Sequence, residues 1–333
     1  MFKNSELNNN LPWVEKYRPT NFDQMISHTH IIETLHNFIK NNSLPHLLFY
    51  GPPGSGKTSL IKVCAKKLYG DQYDLMVLEI NASEDRGIEV VRSLISQFVS
   101  TKNVFSNNPN MFKLIILDEA DAMTSDAQKI LRKVIEKYTK NTRFCLTCNY
   151  IKKISLALQS RCIKFRFSPL DNDLIRERLI EISEIEKITY DELGLETIID
   201  RAKGDMRKIL NILQTTSMSY DIVSSETVNK CLGYPSAKDI NSIYNSLIKK
   251  SFNKSYTLLN NLIVTNSYSV NDIIYELYQK LLITIHTKNN NLNEIKILNM
   301  LANLEYTNLL CTSETLQISA IVGIFNLIKN TTE

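Results

Sequence analysis

The sequence predicts an α/β nucleotide-binding domain on a parallel sheet, followed by a small helical domain and a second all-helical domain. Three observations carry this. Short apolar runs without polar alternation are separated by stretches of helical periodicity, the pattern of parallel strands covered on both faces. One run, Leu47-Leu48-Phe49-Tyr50, breaks into Gly51-Pro52-Pro53-Gly54-Ser55-Gly56-Lys57-Thr58 and then into a helix. Beyond Pro169 strand signals disappear, while apolar stripes at helical spacing continue to Ile328. At 333 residues the chain exceeds one ordinary domain. The expected division is 1–169, 170–232 and 233–333, the last boundary falling at the turn-rich Gly233-Tyr234-Pro235-Ser236.

In chain order, the first ten residues are polar and asparagine-rich, a tail in character. An arm follows, Leu11-Pro12-Trp13-Val14-Glu15-Lys16-Tyr17-Arg18-Pro19, which holds the only tryptophan. Ile31, Ile32, Leu35, Phe38 and Ile39 mark a helix, and His28, His30 and His36 nearby have no ligand spacing. The second strand covers 75–80, and Ile88, Val91, Leu94, Ile95 and Phe98 give the next helix after it. The third strand, Leu114-Ile115-Ile116-Leu117, ends in Asp118-Glu119-Ala120-Asp121. Ser125 and Gln128 fit a capping box for a helix through Leu131 and Ile135. A fourth strand at 143–147 ends at Asn149, and a fifth at 163–167 follows Ser160-Arg161-Cys162. Helices are then expected near 174–185, 193–202, 206–218 and 225–231, with about five more segments to the end.

Composition bounds the function. With 43% hydrophobic and 22% charged residues, the chain is that of a soluble globular protein with a sizeable core. No apolar run reaches bilayer length and the start lacks a signal-peptide pattern, so an intracellular protein without a membrane partner is expected. A net charge of +4 is too mild to imply nucleic-acid binding by itself. Six scattered cysteines suit a reducing compartment. Cys145 and Cys148 have a zinc or redox spacing, but no second pair or nearby histidine completes a site, and their apolar run makes them core residues.

The chemistry begins at the glycine-rich turn. Gly51, four intervening residues and then Gly56-Lys57-Thr58 fit the phosphate-binding loop pattern, with the required strand before and helix after. Glycines let backbone N–H groups close on phosphate oxygens, and the helix offers its positive end to the same anion. Lys57 is placed for the outer phosphates and Thr58 for Mg²⁺, so a nucleoside triphosphate with its magnesium is the expected ligand. Asp118, at a strand's C-terminal end, can hold Mg²⁺ directly or through water, and Glu119 can polarise the water that attacks the γ-phosphate. An adjacent acidic pair suits hydrolysis better than transfer to an acceptor. The bland reading, acids that cap the next helix, is disfavoured by the complete loop upstream. Asn149 could orient the attacking water if the third and fourth strands are neighbours. Arg207, at a helix start, could reach the γ-phosphate, and Arg161 stands just before the last strand. Each alone reads as an exposed arginine or amide; their joint appearance at strand ends and a helix start favours function.

The motifs Trp13-Val14-Glu15-Lys16-Tyr17-Arg18-Pro19, Gly51 to Thr58, Glu79-Ile80-Asn81-Ala82-Ser83-Glu84-Asp85-Arg86-Gly87-Ile88, Leu117-Asp118-Glu119-Ala120-Asp121-Ala122-Met123-Thr124, Asn141-Thr142-Arg143-Phe144, Ser160-Arg161-Cys162 and Gly204-Asp205-Met206-Arg207 occur in that order. In this the chain resembles the small subunits of replication factor C, a clamp loader of the AAA+ ATPase superfamily. The resemblance covers roughly the first two-thirds of the chain, and the remainder agrees only as a helical domain of suitable length. It implies an AAA+ sheet domain, a helical lid and a C-terminal helical collar through which subunits form a hetero-pentameric ring. It further implies ATP and Mg²⁺ bound between neighbours, a PCNA-type sliding clamp and primer–template DNA as partners, and a nuclear location in a eukaryotic cell. Lys57, Thr58, Asp118, Glu119, Asn149 and Arg207 would then serve the subunit's own nucleotide. Arg161 would serve the neighbour's, and Val14 and Arg18 would help form the adenine pocket. Ser55 stands where threonine is usual, and Glu84-Asp85 reverses the commoner acidic order. Arg86, Arg92, Lys129 and Arg132 are candidate DNA contacts, against the plain alternative of solvated basic faces. Leu94, Phe98, Val104 and Phe105 are candidates for a clamp-touching tip. Two other readings stay open, a ring scaffold that binds ATP but hydrolyses little and a different AAA+ machine such as a helicase loader.

Overall fold

The computed structural model describes residues 11–41, 43–84, 88–100, 112–287, 292–308 and 312–330. It divides into two compact units, Met1–Lys187 with Ile198–Gln214 and Ile188–Thr197 with Thr215–Glu333. The first is built on five strands, β1 (Leu47–Tyr50), β2 (Val77–Asn81), β3 (Lys113–Asp118), β4 (Thr142–Cys148) and β5 (Ile163–Arg166). All pair in parallel, in the order β2-β3-β4-β1-β5. The register Leu117↔Leu146 makes the acidic end of β3 and the tip of β4 neighbours, as a role for Asn149 requires.

Because side chains alternate along a strand, the sheet carries two cores. Leu47, Phe49, Leu114, Ile116 and Cys145 face one side and pack with Leu35 of α1 (Thr29–Lys40) and Leu60, Ile61 and Cys64 of α2 (Lys57–Tyr69). Leu48, Ile115, Leu117, Phe144, Leu146 and Cys148 face the other. They pack with Ile95 of α3 (Ile88–Ser100) and Leu131, Val134 and Ile135 of α4 (Ser125–Tyr138). Cys145 and Cys148 thus point to opposite faces of the sheet. Burial pushes both thiols up, Cys148 to about 12.

Two local expectations are corrected. The second strand starts later than read, at Val77, because Tyr73–Met76 winds into a helical turn that buries Met76. The α4 cap is Thr124, whose hydroxyl accepts from Ala127 N at 3.3 Å; Ser125 is the first helical residue. Gln128 is buried, donating to Lys153 O at 2.9 Å and accepting from Ser155 N at 2.8 Å, so it ties α4 to the loop after β4.

His46, just before β1, gives a pH-dependent brace. Its Nδ1 accepts from the buried Phe144 N–H at 3.2 Å, which only a neutral ring can do. Burial, then the nearby Arg143 charge, push it from 6.5 down to about 4. The folded protein resists a proton that the unfolded chain takes up below 6.5, so stability falls as pH drops from 6.5 towards 4. The loss is up to about 3 kcal/mol. In denaturant midpoints measured between pH 7 and 4.5, His46→Gln should flatten this dependence relative to wild type. Parallel curves would remove the assignment.

In the first unit, α5 (Asn172–Ile185) follows the sheet, and α6 (Glu192–Ala202) and α7 (Met206–Ser219) each run across the unit division. The second unit contains a short parallel pair, β6 (Thr189–Tyr190) with β7 (Ile222–Val223), where the sequence showed no strand. Gly194 is required beside it, since a Cβ there would lie 2.3 Å from Val223 O. α8 (Ser225–Leu232) starts at a capping box of Ser224 and Thr227 and ends at left-handed Gly233. Ser236 caps the next helix through Asp239 N at 3.1 Å. Among the described residues five helices follow, α9 (Ala237–Lys249), α10 (Phe252–Asn266), α11 (Val270–Thr287), α12 (Leu292–Asn308) and α13 (Glu314–Asn330). They share one core that includes Ile243, Leu259, Ile273, Leu301 and Ile321. Among the described residues, no helix is long and apolar enough to cross a membrane.

Candidate nucleotide-binding site

The glycine-rich turn lies between β1 and α2, where the sequence places it, and its backbone fills close-packed space. Gly54 has φ +68°, and a Cβ on it would lie 1.8 Å from Asp205 Oδ1. A Cβ on Gly51 would lie 2.2 Å from Phe167 O. The loop is therefore wedged between the chain after β5 and the start of α7, and only glycine fits at these two points. Ser55 is 1% exposed and its hydroxyl donates to Pro52 O at 2.8 Å, closing the loop on itself. Serine suffices for that bond, so the departure from threonine is accommodated.

Lys57 is held beneath the loop. Its Nζ donates to Gly51 O at 2.9 Å, Pro52 O at 2.7 Å and Asn149 Oδ1 at 3.0 Å. Burial pulls its pKa below the usual lysine value, and the Asp118 carboxylate opposes the shift. The contact with Asn149 joins the loop to the tip of β4 in a single polar chain. Tyr150 N, the next donor along, binds Asp121 Oδ2 at 3.2 Å, so the acidic turn after β3 also fixes that tip.

Asp118 is the most constrained acid. Its Oδ2 accepts from Thr58 Oγ1 at 2.9 Å, and its Oδ1 accepts from Glu119 N at 3.0 Å and from the Thr147 hydroxyl. Glu119 takes a left-handed backbone, φ +53°, which few non-glycine residues adopt and which turns it away from the strand path into the cleft. Asn81, opposite Asp118 in β2, instead uses its amide on Glu84 and Ser83.

Val14, Arg18, Met206, Arg207 and Leu210 line the same cleft as the loop and the acidic pair. The arm is pinned in place by Trp13 N donating to Gln214 Oε1 at 3.1 Å and by Lys16 paired to Glu186 at 2.5 Å. Apolar Val14, Met206 and Leu210 offer a surface that suits a nucleobase. Asp205 caps α7 through Arg207 N at 2.9 Å and so sets where Arg207 begins. Sequence reading passed over Asp205, although its place one residue before a helix was a usable signal. It also passed over Thr147, a buried hydroxyl near the end of β4.

Arg161 lies apart from this cleft. It is ion-paired to Glu136 of α4 and donates to Ala157 O at 2.8 Å. Lys129 and Arg132 sit on the exposed face of α4 in pairs with Asp126 and Glu136, at 2.9 Å and 3.2 Å. Arg92 lies on α3 among residues whose side chains are not described, and Arg86, Val104 and Phe105 fall outside the described residues. Leu94 is 38% exposed, whereas Phe98 packs against the core with the Lys113 ammonium 4.8 Å from its ring centre.

The donor set fits a nucleoside triphosphate with Mg²⁺. Glycine-walled backbone, one buried ammonium and a helix start suit phosphate, and a hydroxyl beside a carboxylate supplies the hard oxygens magnesium takes.

Comparison with known proteins agrees. Residues 47–170 match the family described as ATPase family associated with various cellular activities (AAA), and residues 235–323 match the replication factor C C-terminal domain. A probable replication factor C subunit 5 of Dictyostelium discoideum is 49% identical, over 96% of this chain and 92% of its own. Replication factor C subunit 5 of Homo sapiens is 45% identical, over 96% of this chain and 93% of its own. The Thermotoga maritima RuvB Holliday junction branch migration motor has the same fold, with TM-score 0.53 and 16% identity over 73% of this chain and 85% of that one. On these matches, the chain belongs to the replication factor C small-subunit family.

Proposed function

We propose that this chain is an ATP-hydrolysing subunit of replication factor C. It would work in a hetero-pentameric ring with related subunits to load a PCNA-type sliding clamp onto primer–template DNA, in the nucleus of a eukaryotic cell. The observation that carries the reading is the cleft in which Lys57, Thr58, Asp118, Glu119 and Asn149 meet around one glycine-walled loop. Residues 1–169 would form the AAA+ domain, 170–232 the lid and 233–333 the collar through which the ring assembles.

In this site the loop from Gly51 to Thr58, including Pro52, Pro53 and Ser55, cradles the phosphates. Val14 and Arg18 close over the base. Lys57 exchanges its carbonyl partners for phosphate oxygens and keeps or releases Asn149 according to the nucleotide. Thr58 and Asp118 would hold Mg²⁺, which would supply positive charge against the phosphates. Glu119 takes the proton of the attacking water, which Asn149 orients. Arg207 reads the γ-phosphate from α7, and Arg161 completes the site of the next subunit. Arg86, Arg92, Lys129 and Arg132 would meet the DNA backbone, giving sequence-independent, salt-sensitive contacts.

The reading is tested by expressing the chain with its companion subunits and an immobilised sliding clamp. ATP with Mg²⁺ should increase clamp retention by about tenfold or more over nucleotide-free protein, a modest coupling of 1.4 kcal/mol. A chain that enters no complex and retains no clamp would refute it.

A further inference from the structure

We infer that Thr147 is the positioning residue for Asp118 and thereby sets the site's demand for magnesium. Thr147 is fully buried on β4, with Phe49 of β1 as its register partner on one side and the end of β3 on the other. Its neighbours in the strand, Cys145, Leu146 and Cys148, are buried apolar core residues. Among the described residues, the threonine hydroxyl makes one hydrogen bond, donation to Asp118 Oδ1.

A carboxylate's last torsion is broad and roughly two-fold, so a strand-end aspartate is not oriented by its rotamer alone. Here Oδ1 is committed to two protein donors, the Thr147 hydroxyl and the Glu119 N–H. The other oxygen, Oδ2, is left facing the Thr58 hydroxyl. Removing the hydroxyl leaves Oδ1 with one donor and frees the group to rotate or to seek the Lys57 ammonium. The bond is charge-assisted and its donor is fully buried, so it competes with water only on the Asp118 side. Partners that orient a metal-holding carboxylate commonly matter nearly as much as the carboxylate itself.

This inference rests on Asp118 serving the magnesium ion. The experiment titrates Mg²⁺ against binding of a fluorescent ATP analogue, using the subunit within its complex. Thr147→Val keeps shape and removes the donor. It should raise the Mg²⁺ midpoint about tenfold while leaving metal-free analogue affinity within about twofold, and Thr147→Ser should restore the wild-type midpoint. A midpoint unchanged in Thr147→Val, or an equal loss in Thr147→Ser, overturns the inference, since mere packing would respond to the methyl. Thr147→Ala gives the same reading if the valine variant does not fold. Asp118→Asn separates the two failures. If it leaves the midpoint unmoved, the magnesium role of Asp118 is itself wrong; if it moves the midpoint and Thr147→Val does not, only the role of Thr147 falls.

Discussion

Glu119→Gln should stop hydrolysis at this subunit's site, lowering its turnover by roughly 10²- to 10⁴-fold, while ATP binding persists. The expectation follows from the contrast between two adjacent acids. Asp118 is tied by the Thr58 and Thr147 hydroxyls and by Glu119 N–H. The Glu119 carboxylate has no side-chain partner among the described residues, yet the left-handed backbone at φ +53° delivers it to the cleft. A constrained acid suits a fixed cation, and an unengaged acid suits a proton that comes and goes. Glutamine is nearly the same shape and keeps the backbone turn, so the fold and the loop should be undisturbed. In a reconstituted ring, single-turnover hydrolysis assigned to this site reads the effect directly. If total turnover and this site's own rate are both untouched, the subunit is a scaffold that binds ATP without consuming it.

The parts of the site legible in the sequence are those made by contiguous residues. The phosphate loop declares itself because strand, glycines, lysine and threonine occupy one short stretch, and Asp118-Glu119 because they end an apolar run. Asn149 was legible only conditionally, since its value depended on β3 and β4 being neighbours, which no local pattern states. Thr147 was not legible, and of Asp205 only the helix-capping place was, because the contacts with Asp118 and Gly54 arise from register and packing. Thr147 meets Asp118 across the ladder, and Asp205 meets Gly54 across about 150 residues of chain, the separation of their numbers. In the fold, β6 and β7 escaped because two-residue strands are shorter than the period that betrays a strand. The α4 cap shifted from Ser125 to Thr124 because the turn at Ala120–Ala122 ends in extended Met123, which delivers Thr124 in the cap conformation. The place of Arg161 before a strand hinted at function, but its role in a neighbour's site came only through the family resemblance, because nothing in its own sequence neighbourhood names a ligand.

For that reason Arg161 supports the other large expected effect. Arg161→Ala should lower hydrolysis in the neighbouring subunit's site by about 10³-fold, the lower end for an arginine finger. This subunit's own ATP affinity should change by less than about twofold. Its guanidinium sits with Glu136 and the Ala157 carbonyl and is not among the side chains lining its own cleft. The Glu136 pair is a surface pair open to solvent, so losing it should cost little stability. A large functional loss therefore could not be ascribed to unfolding. Glu136 also pairs with Arg132, which would leave it a partner if Arg161 turned towards an adjoining site. Arg161→Lys sharpens the experiment, because lysine keeps the charge and loses the planar fork that stabilises a spreading phosphoryl charge. It should rescue ring assembly more fully than neighbour-site turnover. Loss of ATP binding in the isolated Arg161→Ala subunit would instead place the arginine in its own site, and an unchanged ring turnover would leave the neighbouring site complete without it.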